Sequence, residues 1–494
     1  MTVGALTQLQ YGNTDRMAFL TLNPQITHFK SVYKKYTNFA TQFLTVQPSI
    51  GSGAVSWDID TKYTFQIPRD GDAIRDMYLT FELPDIYSDS NYKFQWIKRI
   101  GEYIIRDVTL QIDTDQSIDK HTSEWLHAYS ELNYDEGKKK GYYKMIGNIL
   151  ELYDPSNAPG NNGSYPSTGY APSIVNRKLY IPLIFWFNKF SSMSFPLIAM
   201  QYKIMYINVT LRPLKDLYTV IDYNGSGYRV KPSVASNVNT TYIGNFLNPS
   251  NNTISNLDVK PRLEINNMFL DNEERKRFAL TSHEYLITQL QPPIINSNKV
   301  GGTIKIDLKN INKPVTELVF MIRRSDMEDV NDWSNFTNWN LNDIPPYSNG
   351  YSNQYGAALT LNSNNIQYYK NRNIVTNALL RLDTHEITSG NTVEGKDSMF
   401  FNLTQNFVAN NNMPDEGIYT YSFSLDNSSI QPIGAVNMSS IVNKDIVITT
   451  IPINPAGGYN YPSSVAYNYN ILVFAVNYEI LTIMGGMASI QSSN

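Results

Sequence analysis

From Trp57 to Ile67 the chain reads WDIDTKYTFQI, with Trp57, Ile59, Thr61, Tyr63, Phe65 and Ile67 at every second position. Side chains of an extended chain alternate between faces, so this spacing predicts a strand with one face buried. The DGD at 70–72 turns the chain, and IRDMYLTFELP supplies a second strand that Pro84 stops, because proline cannot donate to a sheet ladder. IIRDVTLQI (104–112), LYIPLIFWF (179–187), AMQYKIMYINVTL (199–211), KVGGTIKIDLKNI, TELVFMIRR, IVITTIPI and ILVFAVNYEILTIMGG read as further strands. Helical spacing is local. In SEWLHAYSEL the residues Trp125, Leu126, Tyr129 and Leu132 share a face, with Ser123 placed as an N-cap. The stretch 263–291 reads as a strand, a charged turn or helix over Asp271 to Phe278, and a strand through Tyr285 and Ile287.

Three regions lack this patterning. Residues 1–27 carry few apolar anchors and read as an extended arm, a kind of segment that stays disordered unless it lies on a neighbour. Asn23-Pro24 ends it, and Phe29, Val32, Tyr33 and Tyr36 then follow at three- and four-residue steps. That spacing predicts a short helix whose apolar face docks the arm while Lys30, Lys34 and Lys35 stay solvated. Residues 153–173 and 331–355 are rich in Pro, Gly, Asn and Ser and read as long rim loops. The organisation that follows is an arm over 1–27, a first β domain over 28–215, a connecting segment over 216–260 and a second β domain over 261–494.

Composition fits two domains, since 494 residues exceed the roughly 250–300 at which a single core stops growing. Hydrophobic residues make up 42% and charged residues 17%, with 35 Tyr and 21 Phe. Abundant aromatics with frequent turn residues point to all-β sandwiches or barrels. The formal charge of −4 offers no general attraction to phosphate backbones, so direct nucleic-acid binding is not expected. The absence of cysteine excludes disulfides, thiolate metal sites and cysteine nucleophiles. MTVGALTQLQYGNTD shows no signal-peptide pattern, and LYIPLIFWF is far shorter than a membrane span needs.

Candidate chemistry is sparse. DTDQSIDKHTSE (113–124) has the oxygen spacing of a calcium loop, but Ile118 stands where the sharp turn calls for glycine. His121, Glu124 and His127 do not match zinc-protease spacing, and His28, His283 and His385 are isolated in sequence. Neither a nucleophile elbow nor a phosphate loop nor a dinucleotide fingerprint occurs. The basic clusters Lys34-Lys35, Lys138 to Lys140 and Arg275 to Arg277 have aromatic neighbours, and acidic neighbours largely cancel the charge of the last two. Sequons occur at Asn162, Asn224, Asn239, Asn251, Asn335 and Asn427, among others, which leaves surface glycans open. The expectation is no catalytic residue, no cofactor and no metal.

NPQITHFKSVYKKYTNFA (23–40) resembles the opening motif of the double jelly-roll major capsid proteins of nucleocytoplasmic large DNA viruses. IDKHTSEWLHAYSEL (118–132), LYIPLIFWF with FPLIAMQY, FLDNEERKRFALTSHEYLITQLQ (269–291), GAVNMSSI and NYEILTIMGGMASI resemble further phrases of that family in the same order. Glu479 and Thr482 stand where Asn and Arg are more usual. The resemblance implies an all-β chain of two consecutive eight-stranded antiparallel jelly rolls with short helices in loops. It implies a homotrimer that forms a pseudo-hexagonal capsomer and tiles an icosahedral virion capsid assembled in the host cytoplasm. Its partners would be neighbouring capsomers, minor capsid proteins and an inner viral membrane beneath the arm. Alternatives are a minor or penton-associated capsid paralogue, or a carbohydrate-binding jelly roll.

Overall fold

A computed structural model describes residues 3–11, 16–51, 54–88, 92–113, 116–153, 172–222, 229–230, 232, 241–247, 257–328, 330–338, 373–383, 385–389, 395–453 and 467–490. The chain divides into two compact units, Met1–Phe39 and Ala40–Asn494. In the first unit the expected extended arm carries two helices, α1 (Val3–Tyr11) and α2 (Ala18–Thr21). The helix expected around Phe29 to Tyr36 does not form: residues 31–38 have no regular structure. Val32, Tyr33, Tyr36 and Thr37 all lose side-chain freedom in a helix, and spacing alone does not offset that.

The second unit is built from strands. In its first half these are β1 (Phe39–Val46, which starts at the unit boundary), β2 (Thr61–Gln66), β3 (Ala73–Leu83), β4 (Tyr92–Trp96), β5 (Ile105–Ile112), β6 (Gln116–Thr122), β7 (Arg177–Pro182), β8 (Met205–Leu211), β9 (Tyr218–Asp222), β10 (Arg229–Val230) and β11 (Arg262–Leu270). Two four-stranded sheets, ordered β1-β11-β3-β7 and β2-β8-β5-β6, share one core that includes Phe65, Leu79, Val108, Ile181, Ile207 and Ile265. The strands β10-β9-β4 form a smaller third sheet.

The later strands are β12 (His283–Leu290), β13 (Ile294–Lys299), β14 (Thr303–Asp307), β15 (Pro314–Arg324), β16 (Val375–Leu382), β17 (His385–Glu386), β18 (Lys396–Asp397), β19 (Ile418–Ser422), β20 (Val436–Asn437), β21 (Lys444–Thr450), β22 (Tyr469–Met484) and β23 (Met487–Ile490). The sheets β12-β22-β15-β19 and β14-β21-β16-β17 close over a second core containing Ile306, Phe320, Leu380, Tyr419, Ile448 and Val473. The chain is therefore a double jelly roll of two tandem sandwiches.

Strand pairing runs across the boundary expected at residue 261. β11, placed by sequence at the opening of the second domain, pairs with β3 from Arg262↔Thr80 to Met268↔Ala73 and completes a first-roll sheet. The 216–260 connection contributes β9, which pairs with β4. LYIPLIFWF is only partly a strand, since β7 stops at Pro182 and Trp186–Lys189 is helical. Ile59 is 71% exposed because the expected strand begins only at Thr61.

Two eleven-residue helices interrupt the first roll, α4 (Ser123–Asn133) and α5 (Glu136–Ile146), with a single turn, α3 (Ile100–Tyr103), before them. The N-cap of α4 is Thr122, whose side chain accepts from the Trp125 amide, and not Ser123. Asp135 caps α5 by accepting from the Lys138 amide at 2.7 Å, and Gly147 ends it at φ 77°, a conformation glycine adopts at little cost.

Candidate functional site

The site begins with α4, because a surface helix should keep one polar face and this one does not. Ser123 to Ala128 and Ser130 to Leu132 are all buried. On the first-roll side, Arg99 takes a left-handed backbone conformation, φ 55°, which turns its guanidinium toward α4. Its Nε donates to Glu102 at 2.6 Å, Nη1 to Glu131 at 2.6 Å and Nη2 to Ser130 at 2.6 Å. Lys139 donates to Glu131 at 2.5 Å, Tyr142 to Glu102 at 2.6 Å and Tyr143 to Glu131 at 2.8 Å. Two cations thus meet two carboxylates, each with further donors, which is the condition under which buried charge is tolerated.

The two carboxyls differ in the company they keep. Burial raises both, but Arg99 and the hydrogen-bonded Lys139 outweigh it at Glu131 and bring it down to about 2. Glu102 has one cation, and burial prevails there, holding its pKa above the ordinary value. Burial, with Arg99 adding to it, pushes His127 well below its usual range. The ring is therefore neutral at neutral pH and shares a 2.9 Å hydrogen bond with the Tyr103 hydroxyl.

The opposite side of α4 meets the second roll. Trp125 packs on Phe474 at 5.7 Å between ring centroids, and His127 on Phe336 at 5.5 Å. Glu124 accepts from Arg212 of the first roll at 3.0 Å and lies 3.7 Å from Arg323 of the second. Burial raises the Glu124 carboxyl, but the two arginines outweigh it and leave its pKa lowered. Both guanidiniums stand over the Trp333 ring, at 4.7 and 5.2 Å. Asn412 closes the end of the helix, its amide donating to Leu132 O at 3.0 Å and its side chain to Glu131 O at 2.9 Å.

β15 explains why the second roll presents such a face. Ten of its eleven residues are buried. Leu318, Phe320 and Ile322 enter the second-roll core, whereas the alternate Val319 and Met321 join the core of the first roll. Period-two alternation puts Glu317 and Arg323 on that same outward face. Asn331 to Asn338, expected to open a solvent loop, instead packs inward here. Asn331 donates to Lys215 O and Tyr218 O at 2.7 and 2.9 Å, and Trp333 Nε1 to Asp216 O at 3.0 Å.

Glu317 offers a pH test of this junction. Burial pushes its carboxyl up to about 7 against donation from Asn410 and the charge of Lys189. A raised carboxyl favours the folded state below its unfolded value and loses that contribution as pH rises through 7. Glu317→Gln, which keeps an acceptor for Asn410 and Asn427, is expected to match the parent at pH 5 and exceed it in stability at pH 8. Urea unfolding at the two pH values reads this, and an unchanged difference between them would discard the assignment.

The residues singled out in the sequence scatter. His121 pairs with Asp119 at 3.0 Å, Glu124 with Arg212, and His127 with Tyr103. Asp113 binds Lys203 at 2.6 Å, so the calcium-loop carboxylates among the described residues serve separate contacts. Lys139 of the second basic cluster is buried on Glu131, and Arg275 of the third pairs with Asp72 at 3.0 Å. Phe29, Val32, Tyr33 and Tyr36 are 99%, 88%, 82% and 84% exposed. Asn335, one of the sequons, is fully buried and donates to Asp332 at 3.0 Å, which removes it as a glycan site. Asn162, Asn224, Asn239 and Asn251 lie outside the described residues. Sequence patterning does not single out Arg99, Glu102 or Arg323; the signal for Arg323 is a charge directly after the apolar run Leu318 to Ile322.

Tandem jelly rolls fastened through a buried helix have close counterparts in known proteins. Residues 27–247 match the family described as "Major capsid protein N-terminus", and residues 274–489 match "Large eukaryotic DNA virus major capsid protein". The chain belongs to the major capsid proteins of large eukaryotic DNA viruses. It is 26% identical over 560 residues to the major capsid protein of Phaeocystis pouchetii virus, covering 100% of both chains. It is 28% identical over 513 residues to that of Paramecium bursaria Chlorella virus 1, covering 99% of this chain and 100% of the relative. The crystal structure of PBCV-1 VP54, fitted into a reconstruction of the virophage Sputnik, shares the fold with a TM-score of 0.67 at 23% identity, covering 95% of this chain and 100% of that one. The Faustovirus major capsid protein shares it with a TM-score of 0.63 at 12% identity, covering 97% and 96%. As a major capsid protein this chain is a structural component of the virion and not an enzyme. The buried charges around α4 are accordingly architecture, setting how one roll stands against the other.

Proposed function

We propose that three copies of this capsid protein associate into a pseudo-hexagonal capsomer that tiles an icosahedral shell, assembled in the host cytoplasm. The observation that carries the reading is the tandem pair of sandwiches sharing one interface through α4 and β15. Two similar rolls per chain give a trimer six comparable edges, and closing each sheet pair limits exposed strand edges that would otherwise template aggregation. We place the division between the rolls between Leu270 and His283, where sheet membership changes.

Neighbouring capsomers, minor capsid proteins and an inner viral membrane are the partners in this reading. The net charge of −4 supports a shell that does not grip nucleic acid directly. Native mass spectrometry should show three chains of 56.3 kDa, and electron micrographs of the purified protein should show hexagonal rings. A stable monomer under both would end the proposal.

Within this reading Phe29, Val32, Tyr33 and Tyr36 find their cover in the assembled shell. Exposed substitutions usually change stability by less than about 0.5 kcal/mol. The pair Phe29→Ala and Tyr33→Ala is therefore expected to leave melting unchanged and to impair shell assembly, measured by particle yield. Equal loss of folding and assembly would remove the assignment.

A further inference from the structure

β3 and β15 hold the same place in their sheets, third in β1-β11-β3-β7 and third in β12-β22-β15-β19. Their outer faces differ in what covers them. That of β15 is buried because the first roll lies on it, with Val319 and Met321 joining the first-roll core. On β3 the residues that alternate with the core positions Met77 and Leu79 include Asp76 and Tyr78, which are only half-buried. Phe43 of β1, 59% exposed, stands beside the Tyr78 ring at 6.5 Å between centroids, so this outer face carries an open aromatic pair.

The helices differ in the same way. α4 lies between β6 and β7 and is buried on nearly every side. The corresponding place in the second roll, between β18 and β19, is helical over Phe400–Thr404 and Gln405–Ala409. Two fully buried residues fix its inner side: Phe401 enters the second-roll core, and Asn406 Oδ1 accepts from Thr420 Oγ1 at 2.7 Å. Phe407 and Val408 consequently turn outward, 75% and 72% exposed. Two adjacent large apolar side chains left in water forgo the stabilisation that burial gives, and exposed apolar clusters mark contact surfaces. Each chain thus joins its own rolls by a first-roll helix set on the outer face of β15, and keeps a second helix and a second sheet face with open outer sides.

We propose that Phe407 and Val408 of one copy seat on the Phe43 and Tyr78 face of the next, so that the joint between copies repeats the joint within a chain. The inference rests on the trimer proposed above and says where its copies touch. A contact between two different surfaces is heterologous and can close into a ring. With rolls of the two kinds alternating around that ring, every roll presents its helix to the sheet of the roll that follows.

The chain has no cysteine, so introduced thiols report the contact directly. Phe43→Cys combined with Val408→Cys and treated with a short bismaleimide is expected to give covalent dimers and trimers on a denaturing gel, and either substitution alone to give none. Phe407→Asp, at an exposed position, should keep the circular dichroism spectrum and weaken the trimer at least about tenfold in native mass spectrometry, as loss of an interface anchor does. A trimer whose paired thiols do not link between chains, or that Phe407→Asp leaves intact, overturns this inference and leaves the trimer standing. A monomeric parent overturns both. Dimers from either single variant overturn the inference as well, because like surfaces would then be meeting.

Discussion

Replacing Arg99 by methionine is expected to destabilise the first roll by about 3–5 kcal/mol, the range found when one partner of a buried ion pair is removed. Arg99 is 5% exposed and holds Glu102 and Glu131, at 0% and 1%. Without it Glu131 retains Lys139 and Tyr143, but Glu102 keeps only hydroxyl donors from Tyr142 and Ser130. The loss should therefore fall mainly on Glu102, and Arg99→Met combined with Glu102→Gln should recover part of it. Denaturant unfolding of the single and double variants tests this coupling. A single-variant loss below about 1 kcal/mol, as for a surface pair, would show that the cluster is solvated.

Trp125→Ala carries the second large effect, about 3–5 kcal/mol for truncating a buried tryptophan. The ring is 5% exposed and packs between Tyr129 and Phe474, so the cavity opens at the junction of the rolls and not within either sandwich. Calorimetry is the informative measurement. The parent is expected to unfold in one transition and Trp125→Ala in two, as the rolls lose their shared contact. A single transition shifted as a whole would mean that α4 stabilises the first roll without coupling it to the second.

Much of the architecture was legible because strands that bury one face announce themselves by alternation, as TKYTFQ and MYINVTL do. Where pattern and structure part, tertiary contacts are responsible. LYIPLIFWF is apolar throughout, and periodicity alone cannot say that its last residues turn helical after Pro182. NDWSNFTN has the composition of a loop, yet Asn331 and Trp333 donate to backbone oxygens of the first roll, 113 or more residues away in sequence. The arm helix fails in the opposite way, with suitable spacing but residues of poor helix propensity and no packing to compensate. The ionic cluster was hidden for a related reason, since Arg99, Glu131 and Lys139 are ordinary surface residues by type and become unusual only through burial.

The late pairing of β11 with β3 has a consequence for synthesis on the ribosome. The sheet β1-β11-β3-β7 lacks an interior strand until residues 262–270 have been made, long after β1 and β3 emerge. At about 5–20 residues per second, β1 and β3 wait on the order of ten seconds or more with their facing edges unpaired. A nascent chain arrested before Arg262 should therefore engage chaperones more strongly than one from which residues 262–270 have emerged.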